Sequence, residues 1–240
     1  VPFSQEARDA FGVVLAAPVM TEAVYNNDRV VITFDQDLSG TAEAADFSLT
    51  LSDSFSVDVD SAEIIDGDKV RLNLAAPIDN SKVLTDISYT PTNGDSGELT
   101  DGTDSTSSSL LSGDITRDTT APAAATVSQA GGEVVVALPD SDVETATVEY
   151  VADGDGSTTS TVSLSYDGTT WSADEALPGD FTLDTTADEL RISNAALEDG
   201  TDVDVAVADA VGNEATASVT NIDTTAPAAA TVSQAGGEVV

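Results

Sequence analysis

Hydrophobic residues recur at every second position in several short stretches of the chain. Val30, Ile32 and Phe34 share one side with Thr33 opposite, and Val70, Leu72 and Leu74 alternate with Arg71 and Asn73. Farther on, Ala146, Val148 and Tyr150 alternate with Thr147 and Glu149, and Val203, Val205 and Val207 with Asp202, Asp204 and Ala206. A two-residue period puts one set of side chains on a buried face and the other in water. In short runs rich in β-branched residues this predicts half-buried strands. Asp66-Gly67, Asp167-Gly168, Asp199-Gly200 and Ala130-Gly131-Gly132 fall between runs and supply the positive φ of tight turns. Only Ser4–Phe11 and Asp188–Leu197 qualify as short helices, and the second is expected to be largely strand and loop. The pattern predicts an all-β protein.

One peptide occurs twice. Asp118–Val135 reads DTTAPAAATVSQAGGEVV, and Asp223–Val240 repeats it letter for letter, 105 residues later. A period of this length fits a β-sandwich of the immunoglobulin type and exceeds that of helical or leucine-rich solenoid units. The expected organisation is tandem Ig-like β-sandwich domains joined by short linkers. Residues 1–15 form a lead-in, 16–117 a first sandwich, 118–222 a second, and 223–240 an incomplete third repeat. The strands of that third copy, near Ala229–Gln234 and from Glu238, lack their sheet partners in this reading. Either they belong to a truncated array or they pair with a neighbour's sheet edge. The segment Thr92–Ser109 is polar and rich in Gly and Ser, and is expected to be a solvated loop.

Charge narrows the function. The 240 residues carry 44 acidic and 7 basic side chains, a formal net charge of −37, with no His and no Cys. The composition removes imidazole bases and ligands, disulfides and thiolate chemistry. Its field repels nucleic acid and acidic lipid. No apolar run approaches the ~20 residues that span a bilayer, and no signal-peptide pattern opens the chain. Such a charge needs screening, either by molar salt around a halophilic surface or by divalent cations held at carboxylates.

Three pieces of the second unit resemble the bacterial and archaeal Ig-like repeats of large biofilm-associated surface adhesins. They are Asp118-Thr119-Thr120-Ala121-Pro122, repeated from Asp223; Tyr166-Asp167-Gly168-Thr169-Thr170-Trp171; and Val207-Ala208-Asp209-Ala210-Val211-Gly212-Asn213. The first unit resembles a different surface Ig-like repeat through Val30–Asp35, Ala45–Phe47 and Lys69–Leu74. The resemblance implies an extracellular, cell-surface, non-catalytic protein whose repeats space other modules. It also implies calcium at domain junctions. The candidate ligands are Asp118, Asp209, Asn213, Asp223, Asp140 and Asp142. Each also suits a plain turn or cap, because Asp and Asn favour both.

Other motifs point to less. Asp153-Gly154-Asp155-Gly156-Ser157 opens like an EF-hand loop, but its twelfth position is Leu164, where a bidentate Glu is required. Trp171 is either a sugar-stacking platform or a core residue. Four scattered tyrosines form no dense recognition face. The expected role is a semi-rigid stalk or spacer, with other copies of itself or neighbouring repeats as partners. Glycans or proteins would be met through modules not present here. The alternative is a subunit of a surface lattice or filament, S-layer or pilus-like, that assembles by strand or edge pairing.

Overall fold

The computed structural model describes residues 17–91, 99–100 and 108–225, with the backbone of 234–235 and 238–239. The lead-in 1–15, the helix considered at Ser4–Phe11 and nearly all of the polar loop 92–107 lie outside the described residues. By packing, the chain divides into two units, 1–121 with 208–214 and 122–207 with 215–240.

The first unit contains β1 (Met20–Tyr25), β2 (Arg29–Phe34), β3 (Phe47–Leu51), β4 (Ser56–Val57), β5 (Val59–Ile65), β6 (Lys69–Leu74), β7 (Leu84–Tyr89), β8 (Ser108–Leu111) and β9 (Ile115–Arg117). One sheet runs β5-β6-β2-β1-β9 and the other β4-β3-β7-β8. Neighbours pair antiparallel except β9, which lies parallel to β1 with Val24 opposite Thr116. Lettered in chain order, the sheets read D-E-B-A, extended by β9, and C′-C-F-G, which is an Ig-like arrangement.

Alternation decides the faces. Val30, Ile32 and Phe34 of β2 and Val70 and Leu72 of β6 are buried, while Thr33, Arg71 and Asn73 are partly solvated. Two tyrosines bring polar atoms into this core and satisfy them there. The Tyr25 hydroxyl accepts from the Leu84 amide at 3.1 Å, and the Tyr89 hydroxyl from the Leu99 amide at 2.8 Å. Leu99 is thereby held in the core.

The second unit contains β10 (Thr126–Ala130), β11 (Glu133–Ala137), β12 (Thr145–Val151), β13 (Thr159–Tyr166), β14 (Trp171–Ala173), β15 (Phe181–Asp184), β16 (Glu189–Ser193), β17 (Val203–Ala208) and β18 (Glu214–Val219). Its sheets run β10-β11-β16-β15 and β14-β13-β12-β17-β18. In Ig letters these are A-B-E-D and C″-C′-C-F-G, the nine-strand set of a variable-type domain. Asp188–Leu197 is a strand followed by a single 3-10 turn at Asn194–Ala196, as its mixed pattern indicated.

The two units have separate hydrophobic cores. That of the first gathers Ile32, Leu49, Leu72, Leu84 and Ile87; that of the second gathers Val134, Val148, Leu164, Leu190 and Val205 around Trp171. Trp171 is 1% exposed, and its indole N–H donates to the Pro139 carbonyl at 3.0 Å. The ring is therefore core and offers no sugar platform.

The repeated peptide shows the same strand pairing at the positions described in both copies. In its first copy Ala130 pairs with Glu133 across a two-residue turn in which Gly131 (φ 65°) and Gly132 (φ 87°) are both left-handed. A type I′ hairpin demands that geometry at both central positions. In the second copy β19 (Gln234–Ala235) and β20 (Glu238–Val239) pair with Ala235 opposite Glu238, the same register shifted by one period. Of the two strands expected at the third repeat, the described residues Gln234–Ala235 and Glu238–Val239 pair with each other; residues 229–233 lie outside the described residues.

Trp171→Ala is expected to cost the second unit about 3–5 kcal/mol through lost burial and a residual cavity. Chemical denaturation followed by circular dichroism measures it. A loss below ~1 kcal/mol would show that the ring is not a core residue.

Candidate functional site

The repeated peptide begins with an aspartate that makes the same turn at both places. Asp118 Oδ1 accepts from the Thr120 amide at 2.8 Å, and Asp223 Oδ1 accepts from the Thr225 amide at 3.0 Å. A side chain capping the amide two residues on is the Asx turn that this short carboxylate favours. It bends the chain just before the Ala-Pro step.

In the first unit the chain reaches that turn from β9. The Asp118 amide donates to the Tyr25 carbonyl at 2.8 Å, continuing the β1–β9 pairing by one residue. Arg117, immediately before it, spreads over the end of the unit. Its guanidinium donates to the carbonyls of Asn80 at 3.1 Å and Lys82 at 3.2 Å, and lies over the Tyr25 ring at 5.5 Å.

The loop 208–214 belongs to this same unit. Asp209 is 3% exposed and closes the loop upon itself. Its Oδ1 accepts from the amides of Val211 at 3.0 Å and Asn213 at 2.9 Å, and its Oδ2 from the Asn213 side-chain amide at 2.8 Å. Asn213 Nδ2 also reaches the Asp118 carbonyl at 3.4 Å. Gly212 is left-handed at φ 87°, and a Cβ there would lie 3.1 Å from Arg29 Nη1. Glycine is needed both for the backbone angle and for the approach of the guanidinium.

The structure therefore brings Asp118, Asp209 and Asn213 together, with carboxylate oxygens of Asp118 and Asp209 within 4.8 Å of each other. Hard carboxylate oxygens at this spacing suit calcium chemically, yet two of them are well short of the six to eight oxygens it takes. Asp140 and Asp142 stand in the second unit, both exposed, on the segment between β11 and β12. Asp142 adopts a left-handed φ of 55°.

Asp223 sits in a different setting, at the end of the second unit where the peptide recurs. Its amide donates to Gln129 Oε1 at 3.2 Å, and its carbonyl accepts from Gln129 Nε2 at 2.9 Å and Asn194 Nδ2 at 3.0 Å. Next to it, the Thr224 amide donates to Asp199 Oδ1 at 2.9 Å. Gln129, Asn194, Asp199 and Arg117 were not foreseen as holders of these turns. For Gln129 a signal existed: it lies inside the repeated peptide and returns at Gln234. The other three carry no local motif, because the partners they grip are distant in sequence.

No family model matches the chain, and no curated protein matches it. Among solved structures, an S-layer protein aligns over 95% of this chain and 44% of its own, at 11% identity and a TM-score of 0.36. A pullulanase of Group B Streptococcus aligns over 83% and 23%, at 9% identity and a TM-score of 0.28. The eight N-terminal Ig domains of Down syndrome cell adhesion molecule align over 87% and 30%, at 12% identity and a TM-score of 0.22. The chain spans less than half the length of each of these structures. The Ig-like fold rests on the strand order of each unit, which these alignments neither add to nor alter.

The Thr225 hydroxyl, and then its amide, hold the Asp223 carboxyl below its ordinary pKa of 3.8. The folded value lies below the unfolded one, so the turn's stabilisation is complete above the unfolded value. It is lost as pH falls through the folded value. A carbon-detected NMR titration is expected to place the Asp223 midpoint below 3.8 and to move it back upward in Thr225→Val. An unchanged midpoint in that variant would remove the hydroxyl as the cause.

Proposed function

We propose that the protein is a non-catalytic spacer of the extracellular surface, in which Ig-like modules repeat along the chain to give length. The observation carrying this reading is the repeated peptide. Its two copies share eighteen letters, one Asx turn and one hairpin register. A unit that begins each module with the same turn and hairpin gives a fixed pitch, as repeat proteins do. A sandwich with strands of this length is on the order of 30–40 Å long. The acidity fits a surface exposed to salt or to divalent cations, since a net charge of −37 is tolerable only when screened.

Calcium is part of the proposal. Asp118 and Asp209 would supply carboxylate oxygens, with Asn213 orienting Asp209 through its amide. Bound there, the ion would offset the repulsion between two carboxylates and hold loop 208–214 in place. Asp140, Asp142 and Asp223 are the further candidates.

A second reading, a lattice or filament subunit, draws support from an open sheet edge. Strand β14 pairs with β13 from Leu164 to Tyr166, so on that side no strand among the described residues pairs with Thr159 and Thr161. Leu111 on β8 is 64% exposed. Edges of this kind accept a strand from another chain.

Small-angle scattering on this chain, and on one carrying an added copy of residues 118–222, tests the spacer. The maximum dimension is expected to grow by about 30–40 Å per added copy with the protein monomeric. A compact particle, or a concentration-dependent mass in salt and calcium, would favour assembly instead. The same samples test the ion. Millimolar calcium is expected to raise the melting temperature beyond sodium chloride of equal ionic strength, by about 2.7 kcal/mol of stability at a hundredfold excess over Kd. Asp209→Asn is expected to remove that excess while keeping the gain from salt. Equal gains from both salts would leave only screening.

A further inference from the structure

We propose that Asp155-Gly156 is a site of spontaneous isoaspartate formation, selected over the other Asp-Gly pairs of the described residues by its local hydrogen bonding. The chemistry requires a free carboxyl group, a free amide on the next residue and a backbone that can bring them together. The Gly156 nitrogen attacks Cγ of Asp155, and the new N–C bond forms as a water molecule leaves. That water takes the carboxyl hydroxyl and the amide proton. Water then opens the five-membered imide at either carbonyl, returning aspartate or giving an isoaspartate whose main chain is one carbon longer. No oxidant or reductant takes part, and one water is released and one consumed.

Five Asp-Gly pairs fall among the described residues, and four of them are restrained. At Asp153-Gly154 the amide that would attack donates to Glu198 Oε2 at 2.8 Å, which occupies the nucleophile. Asp199 Oδ1 accepts from the Thr224 amide at 2.9 Å, and Gly200 N donates to the Ile222 carbonyl at 2.8 Å, so electrophile and nucleophile are both engaged. Asp167 Oδ1 accepts from the amides of Thr169 at 2.8 Å and Thr170 at 2.7 Å, which fixes its carboxylate away from its own main chain. Asp66 is paired with the Lys69 ammonium at 3.4 Å, and Asp37 Oδ1 lies 3.6 Å from where a Gly67 Cβ would be. A carboxylate so close opposes the partial anion that the attacking nitrogen must become.

Asp155 differs on each count. Its residue is exposed, and among the described residues no hydrogen bond or ion pair holds its carboxylate. The Ser157 amide donates to the Asp155 carbonyl at 3.0 Å, closing a three-residue turn around Gly156 at φ 74°. A turn of that kind with a positive central φ is strained, and it leaves the Gly156 N–H out of the closing hydrogen bond. The loop connects β12 and β13, away from either core, where local opening is least costly. Its ties to the rest of the unit come before Asp155: the Asp153 amide donates to the Ala196 carbonyl at 3.0 Å, and the Gly154 amide to Glu198 Oε2 at 2.8 Å. On a long-lived spacer such a site would record age.

The test is to hold the intact chain for several weeks in warm, mildly acidic buffer and map isoaspartate by electron-transfer fragmentation. Modification at Asp155 is expected to exceed that at Asp167 and Asp199 on the order of tenfold, the scale of two net hydrogen bonds at a restrained carboxylate. Asp155→Glu, which would need a larger ring, is expected to lose the signal while keeping the circular dichroism spectrum. A comparable or greater rate at Asp66, Asp153, Asp167 or Asp199, or none at Asp155, would overturn the proposal.

Discussion

Each sandwich is held shut by side-chain packing and a few buried hydrogen bonds, with no covalent cross-link. The chain has no cysteine, few aromatics and a surface dominated by carboxylates. Every module must therefore exclude water with Val, Leu, Ile and a small number of rings. Strict alternation along short strands accomplishes this, because it gives each sheet one continuous apolar face. The polar atoms drawn into these cores are satisfied where they lie: Tyr25 and Tyr89 cap backbone amides, and Trp171 donates to a carbonyl. A buried polar group left without a partner would cost a core of this size a large share of its stability.

The repeated peptide links that packing problem to the proposed role. It opens with an Asx turn, continues into the first hairpin of a sandwich, and carries the glutamine that grips the next copy. Gln129 binds both the amide and the carbonyl of Asp223, so one copy of the peptide holds the first residue of the following copy. An eighteen-residue sequence thereby supplies a turn, a hairpin register and a clamp. The turn and the hairpin register are seen at both places, and the clamp at Gln129.

Much of the architecture was legible because it depends on local pattern. Alternation located β2, β6, β12 and β17 with their buried faces, and glycines marked the turns whose φ only they adopt readily. The repeat length matched one Ig-like sandwich, and the strand order of both units agrees with it. What was illegible depended on contacts between residues far apart in sequence. The pairing of β9 parallel to β1 has no signature in either strand, nor does the burial of Leu99 within a polar loop. Among the candidate ligands, Asp118, Asp209 and Asn213 were found together, but sequence alone gave no reason to separate them from Asp223. The identical turns at Asp118 and Asp223 are set in different surroundings, and those surroundings come from Arg117, Gln129 and Asn194.

The central claim is that the chain consists of self-contained β modules, each with its own hydrophobic core. Calorimetry of the whole chain with Leu72→Ala and, separately, Leu190→Ala tests it most directly, with Trp171 fluorescence reporting the second module alone. Each substitution removes a fully buried leucine from a different core. The account predicts that Leu72→Ala lowers a transition to which Trp171 is blind, while Leu190→Ala lowers the one that Trp171 follows. A single transition, moved equally by either substitution, would contradict it.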